Sequence, residues 1–310
     1  MSLIILTKSP TVSILSRDFF KSVLVLLFNR VRGPKAVTSS LLRGLEKLQV
    51  GYLLNHYSDF KKEDTVFVNE NILALRYAIN LKKEGKIRRL VVGPNFVIYP
   101  NDQEAIMRST EIDFLLFPCE WIKRYWVSIA PELKDKIVVW PAGVENHGEV
   151  LTKNRDLVLI YLKNCPKDLF KSIIFQLEHN KIKFRVIRYG SFKQSKYFKL
   201  LEKSKAVIYL SNSETQGIAM LEAWEKDVPT LVWDRGFVEF NGEKFFGTST
   251  SPYLSNETGD FFENEMEFKE KVLNFLNQLN KKTPRKYVLD NLVDEISTKA
   301  FLNFINYYEN

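Results

Sequence analysis

Cysteine is scarce in this 310-residue chain, with Cys119 and Cys165 the only two. No spacing resembles a zinc cage, and two cysteines cannot form a disulfide framework, so a reducing, cytoplasmic setting is expected. A chain of this length buries enough surface to do without such staples. Histidine is nearly as rare: His56, His147 and His179 stand far apart, which argues against a histidine-based metal site or triad. Long apolar runs are missing too. The longest, Val23 to Phe28 and Leu157 to Leu162, fall far short of the ~20 residues needed to cross a bilayer. Leu3 to Leu6 lacks a basic flank and a cleavage site, so no secretory signal is expected. There is no G-x-S-x-G, no G-x4-G-K-[ST] and no G-x-G-x-x-G, which weakens hydrolase, phosphate-loop ATPase and simple dehydrogenase readings.

The chain is 45% hydrophobic and 26% charged, near the averages for globular proteins, which excludes wholesale disorder. Lys and Arg exceed Asp and Glu by 45 − 37 = +8. The excess is local. Between Tyr161 and Lys205 twelve Lys or Arg face three acids, a net of +9, and the remainder nets −1. Such a segment attracts phosphate groups, whether on a nucleotide, an anionic membrane or a nucleic acid, although many of its lysines could simply be the wet faces of helices.

Short hydrophobic runs alternate with amphipathic stretches, the pattern of βαβ units around parallel sheets. In the first half, strands are expected at Ser22 to Phe28, Gly51 to Asn55, Thr65 to Val68, Arg89 to Val92, Ile112 to Phe117 and Ile137 to Trp140. Helices are expected at Ala36 to Leu48, Asn71 to Glu84 and Glu120 to Ile129, with a turn at Arg32-Gly33-Pro34. The alternation then restarts. Strands are expected at Leu157 to Leu162, Phe184 to Ile187, Ala206 to Leu210 and Thr230 to Trp233. Helices are expected at Lys167 to His179, Ser195 to Ser204 and Gln216 to Glu225. Gly236 to Asp260, rich in Gly, Ser, Thr and Asn, reads as a long loop, followed by helices at Glu265 to Leu279 and Asp294 to Tyr308. Two α/β halves leave a cleft, and open parallel sheets bind ligands beyond the carboxyl ends of their strands. Trp121, Tyr125 and Trp126 read as core. Gly93-Pro94-Asn95 reads as a tight turn, or else places Asn95 on the acceptor side of the cleft.

The most informative stretch runs from Ser211 to Trp224, after a strand and into a helix. Free backbone N–H groups at a helix start favour an anion, and Gly217 removes side-chain bulk where a ligand would approach the backbone. Glu214 and Glu222 can line one side of the cleft, one reaching a sugar and the other a ribose diol. On the residues alone, Glu214 could equally be a helix cap and Glu222 a solvated acid.

Glu214 through Glu222 resembles the E-x7-E motif of the retaining nucleotide-sugar glycosyltransferases of family 4, which have the GT-B fold. The similarity continues through Glu222-Ala-Trp-Glu-Lys-Asp-Val-Pro229-Thr-Leu-Val and covers Lys136 to Glu145, which is similar to the family's interdomain signature at Gly143. The resemblance implies a compact GT-B protein, α/β, with two Rossmann-like domains facing a cleft. An acceptor domain would span residues 1–147 and a nucleotide-sugar domain 148–290, with a helix in 291–310 packing back on the first. It implies that Glu222 binds the ribose hydroxyls, that Glu214 contacts the donor sugar, and that backbone amides of Gln216, Gly217 and Ile218 hold the sugar or diphosphate. Lys163 and Lys167 stand where the family carries an Arg and a Lys five residues apart, here four apart and without the usual "GR"; Lys163, directly after the strand, is the favoured cation, and Lys167 could instead be a first-turn surface lysine. Gly190 and Ser191 would lie near the base, behind a wall shortened by one strand. Gly33 falls where the family has a glycine-rich loop.

The resemblance implies an enzyme that would move a sugar from a nucleoside diphosphate to a hydroxyl acceptor, glycan or lipid-linked, with retention. The donor is a substrate and no cofactor is expected. No Asp-x-Asp occurs, so the metal-dependent chemistry of the other common transferase fold is not expected. The basic segment makes peripheral contact with an anionic membrane a further expectation. Two rivals stand beside this reading: a non-catalytic module that binds nucleotide sugars or glycans, and a nucleic-acid-binding protein, for which no motif is present.

Overall fold

The computed structural model describes residues 2–10, 33–96, 99–150, 154–240 and 242–305. The chain divides into two compact units, one of residues 1–143 with 294–310 and one of residues 144–293. The first unit runs β1 (Leu3–Leu6), α1 (Gly33–Lys47), β2 (Tyr52–Leu54), β3 (Thr65–Val68), α2 (Ile72–Lys83), β4 (Arg89–Val92), β5 (Phe114–Phe117), α3 (Glu120–Ile129) and β6 (Ile137–Val139). The second runs β7 (Leu157–Leu162), α4 (Lys167–His179), β8 (Phe184–Arg188), α5 (Gln194–Leu201), β9 (Ser204–Leu210), α6 (Ile218–Glu225) and β10 (Thr230–Trp233). It continues with β11 (Phe237–Phe240), β12 (Glu243–Phe246), β13 (Gly259–Phe262), α7 (Glu265–Asn277) and α8 (Pro284–Asn291), after which α9 (Asp294–Phe304) returns to the first unit.

Both main sheets are parallel throughout. The first has the order β2-β1-β3-β4-β5-β6 and the second β13-β10-β9-β7-β8. Strands covered on both faces read as continuous apolar runs rather than alternating ones, and β1, β3, β7 and β10 are buried at every position. The edge strand β8 differs: Arg185 and Val186 are exposed. Helix starts are set locally, with the Asn71 side chain accepting from Ala74 N at 2.9 Å and Asn264 from Glu267 N at 3.1 Å.

Helix α9 is built into the core of the first unit. Trp140 Nε1 donates to Ser297 O at 2.9 Å, and Phe67, Trp140 and Phe301 pack ring against ring. Arg43 donates to both carboxylate oxygens of the buried Asp294, at 2.6 and 3.1 Å. Helix α1 can approach this closely because position 44 is glycine: a Cβ there would stand 1.9 Å from Thr298 Oγ1.

Several expectations need correction. The expected strand Ser22 to Phe28 lies outside the described residues, and Gly33 is the first residue of α1 rather than part of a turn. A strand that was not expected, β1, stands between β2 and β3. The expected loop from Gly236 to Asp260 contains the antiparallel hairpin β11–β12 and the start of β13. Its composition masked the sequence pair Asn241-Gly242 between two short Phe-containing runs, a hairpin signal in its own right. Helix α8 was also unexpected; Pro284 at its first position is a helix-start residue.

Candidate functional site

In the second unit the candidate side chains Lys163 and Glu214 follow the carboxyl ends of β7 and β9, the place where parallel sheets bind ligands. Strand pairing puts Tyr161 opposite Tyr209 and Leu162 opposite Leu210, so the loops after residues 162 and 210 leave the sheet side by side. Lys163 Nζ lies 3.1 Å from Glu214 Oε2 and 5.1 Å from the centre of the Tyr189 ring. The same carboxylate oxygen accepts from the Tyr209 hydroxyl at 2.9 Å, and Thr215 N donates to Oε1 at 3.2 Å. Glu214 is therefore anchored through both oxygens.

Glu222, in the second turn of α6, accepts from Gln194 Nε2. Between the two acids lies an aromatic cluster. Tyr161 and Tyr209 stack with centroids 4.7 Å apart and planes 7° apart, and Tyr197 meets Tyr161 edge-on at 5.8 Å. Burial, then Glu214, Tyr189 and Glu222, push the Tyr161 phenol far above its ordinary range. Burial, Glu214 and Tyr161 do the same to Tyr209, and burial, Glu222 and Tyr161 to Tyr197. These phenols stay protonated, and Tyr209 serves as a fixed donor to Glu214. Tyr197 spends its proton on Ala219 O at 2.6 Å, which fixes α5 against the first turn of α6.

Gly217 caps α6 with φ +68°, a left-handed conformation that disfavours a Cβ, and a Cβ there would stand 2.8 Å from Met220 Cε. Gln216 is buried beside it, and Ile218 is the first helical residue. Lys167 is exposed at the first position of α4, outside the cavity that Lys163 lines. Gly190, with φ +75°, has open space where its Cβ would be. Ser191 N donates to Arg188 O at 3.0 Å, and Ser191 lines a second cavity with Phe170, Phe192 and Lys196.

In the first unit, Asn95 N and Nδ2 lie 3.3 and 3.5 Å from Asn69 Oδ1. Asn69 Nδ2 donates to Thr38 Oγ1 at 3.0 Å, and that hydroxyl donates to Glu70 Oε1, also at 3.0 Å. Glu70 follows β3 with φ +71°, a conformation uncommon for a side chain with a Cβ. Burial raises its carboxyl above the ordinary range, against the opposing pull of Thr38 and Lys35. Gly143 is buried and closes this unit's first segment. Trp121, Tyr125 and Trp126 are core residues.

The sequence reading missed Gln194, Tyr209 and Glu70. Position after a strand is the signal that points to Glu70. Tyr161 and Tyr209, each the next-to-last residue of its strand, are the signal for the tyrosine stack. The His147 backbone N–H and Nδ1 lie 3.0 and 3.2 Å from the carboxylate of Glu225. Among the described residues no group of three His, Cys, Asp or Glu side chains is placed to hold a metal ion, and no helix is long and apolar enough to cross a membrane.

No family model matches the chain, and no curated protein matches it in sequence. Solved structures do match in shape. The lipopolysaccharide outer core galactosyltransferase WaaB superposes with a TM-score of 0.58 at 13% identity, covering 99% of this chain and 100% of that one. A sucrose-phosphate synthase from Thermosynechococcus elongatus gives 0.55 at 10% identity, with both chains fully covered. TarM gives 0.57 at 15% identity over 87% of this chain, and this chain spans 58% of TarM's length. These likenesses establish the fold as α/β of the GT-B type, with two Rossmann-like domains.

Proposed function

We propose that the chain is a glycosyltransferase of family 4 type, moving a sugar from a nucleoside diphosphate to a hydroxyl acceptor with retention of configuration. The observation that carries this reading is the placement of Glu214 and Glu222 on either side of the tyrosine cluster, with Lys163 on Glu214 and Gly217 opening the helix between the acids. The GT-B likeness supports it, since the matched structures include a galactosyltransferase and a sucrose-phosphate synthase.

Each residue has a role in that reaction. The Glu222 carboxylate accepts two hydrogen bonds from the cis-diol of the ribose. Backbone amides of Gln216, Gly217 and Ile218 meet the sugar or diphosphate. As the glycosidic bond breaks, positive charge grows on the sugar ring and negative charge on the departing diphosphate. Glu214 faces the first and Lys163 the second, so both interactions strengthen in the transition state. The acceptor hydroxyl attacks the face the diphosphate leaves, and the diphosphate oxygen takes its proton. Gly190 and Ser191 border the base, while Asn95, Gly33 and Gly143 belong to the acceptor side. The acceptor is a glycan or lipid-linked hydroxyl, and the basic segment from Tyr161 to Lys205 gives the protein a means of meeting an anionic membrane from the cytoplasmic side.

One observation favours a second reading, in which the site binds a nucleotide sugar without transferring it: Lys163 is already engaged by Glu214. Thermal shift with UDP, GDP, ADP and CMP tests binding, since a ligand at 100-fold its dissociation constant stabilises by about 2.7 kcal/mol. Donor hydrolysis without acceptor then separates the readings. Stabilisation by none of the nucleotides removes both.

A further inference from the structure

A cavity of about 440 Å³ opens at the carboxyl ends of four strands of the second sheet, a size within the range of about 300–1,000 Å³ typical of small-molecule sites. Its charged lining is entirely cationic: Lys163 after β7, Arg188 at the end of β8 and Arg235 after β10, with Asn164 and Asn212 as further polar groups. The two arginines differ from the lysine in an important way. Lys163 is held by Glu214, whereas neither Arg188 nor Arg235 has a carboxylate partner among the described residues.

Both guanidinium groups are instead fixed by aromatic faces. The Arg235 Cζ lies 4.4 Å from the Phe237 ring centre and 5.1 Å from that of Trp233. The Arg188 Cζ lies 5.7 Å from the centre of Phe170. Contact with an aromatic face holds a guanidinium without using its N–H donors, which lie in the guanidinium's own plane and remain available to an anion. The loop that carries Arg235 is itself tied down. The preceding Asp234 accepts from Gly236 N at 3.0 Å, Ser249 Oγ at 2.6 Å and Thr250 N at 3.1 Å, so its charge is committed to the turn.

Arg188 and Arg235 both line this cavity, Arg188 also bordering the second cavity with its partner Phe170, and two guanidiniums without a carboxylate partner among the described residues call for a ligand carrying more than one negative charge. A diphosphate has that chemistry, and the cavity shares Lys163 with the proposed transfer site. We propose that Arg188 and Arg235 are diphosphate-binding residues of this protein. They would supply, from the ends of β8 and β10, cationic charge beside that of Lys163 after β7. This rests on the glycosyltransferase reading for the source of the diphosphate, the nucleotide of the donor.

The test is calorimetric titration of the full chain with inorganic pyrophosphate, UDP and uridine, comparing wild type with Arg188→Gln, Arg235→Gln and the conservative Arg235→Lys. A charge-assisted hydrogen bond contributes roughly 1.5–3 kcal/mol, so each Gln variant is expected to weaken pyrophosphate and UDP by about tenfold or more and to leave uridine unchanged. Arg235→Lys retains the charge but not the fork and should fall between. Unchanged thermal unfolding without ligand identifies variants that are folded. Absence of pyrophosphate binding to the wild type, or equal affinity in wild type and both Gln variants, overturns the proposal. A loss confined to pyrophosphate with UDP unaffected also overturns it, because the diphosphate recognised would not be the nucleotide's. The two readings fail separately. Pyrophosphate and UDP binding lost in both Gln variants of a protein that turns over no nucleotide sugar leaves the arginines standing and removes the transferase. Turnover with pyrophosphate binding indifferent to both arginines does the reverse.

Discussion

Replacing Glu225 should cost more stability than any other single acid of the second unit. Its side chain is 1% exposed and lies at the end of α6. Oε1 accepts from Arg285 at 2.7 Å and from His147 N at 3.0 Å, while Oε2 lies 3.2 Å from both Lys226 Nζ and His147 Nδ1. Removing one member of a buried ion pair costs about 3–5 kcal/mol. Arg285 keeps other acceptors, Asn146 Oδ1 at 3.1 Å among them, so Glu225→Ala belongs at the lower end, about 3 kcal/mol. For the unit spanning residues 144–293, at about 2–4 °C per kcal/mol, the unfolding midpoint should fall by about 6–12 °C. The pH dependence follows from the same contacts. Burial works to raise the carboxyl, but Arg285, the His147 N–H and Lys226 outweigh it and hold it below the ordinary range. A carboxyl held lower in the folded state than in the unfolded one stabilises above its unfolded value, about 4.3. That contribution is lost as pH falls through the folded value. The gap between wild type and variant should therefore be full at pH 7 and shrink below about pH 4. Urea unfolding followed by tryptophan fluorescence, which includes Trp224 and Trp233 of this unit, measures it at each pH. A loss under about 1 kcal/mol at pH 7, or a gap that does not change with pH, would refute the reasoning.

Gly44→Ala should destabilise by about 1–3 kcal/mol through overpacking against Thr298, although helix propensity alone would make alanine the better residue there. A thermal midpoint equal to or above wild type would contradict the close approach of α1 and α9. Tyr209→Phe keeps the stack on Tyr161 and removes the donor to Glu214 Oε2. Turnover should fall by about tenfold with little change in nucleotide affinity, and an unchanged rate would show that Lys163 alone suffices to position the acid.

Much of the architecture was legible because buried parallel strands announce themselves as short apolar runs. Leu157–Leu162, Arg89–Val92 and Thr230–Trp233 begin and end where the sequence suggests. Leu3–Leu6 was passed over because four apolar residues near a chain start carry no flanking pattern, and their strand identity comes from pairing with Leu53 and Val66, some fifty and sixty residues away. The hairpin at Phe237–Phe246 was hidden by its Gly- and Ser-rich surroundings. At the site, the acids and Lys163 stand out by spacing after strands. Gln194, Arg188 and Arg235 reach the site only through the third dimension. Arg235 in particular reads as an ordinary loop residue until Trp233 and Phe237 are seen to orient it. Lys167 is exposed at the first position of α4, the first-turn surface position that its sequence also allows.

The central claim is that Glu222 binds the nucleotide and Glu214 acts on the sugar, and steady-state release of nucleoside diphosphate from a panel of nucleotide sugars tests it most directly. The account predicts release by the wild type, with Glu222→Gln weakening nucleoside diphosphate binding by about tenfold or more. Glu214→Gln should bind the nucleotide normally and lose its rate at saturating donor, since its contact strengthens only as charge develops. Wild-type rates and affinities in both variants would contradict the assignment of the two acids and with it the proposed reaction.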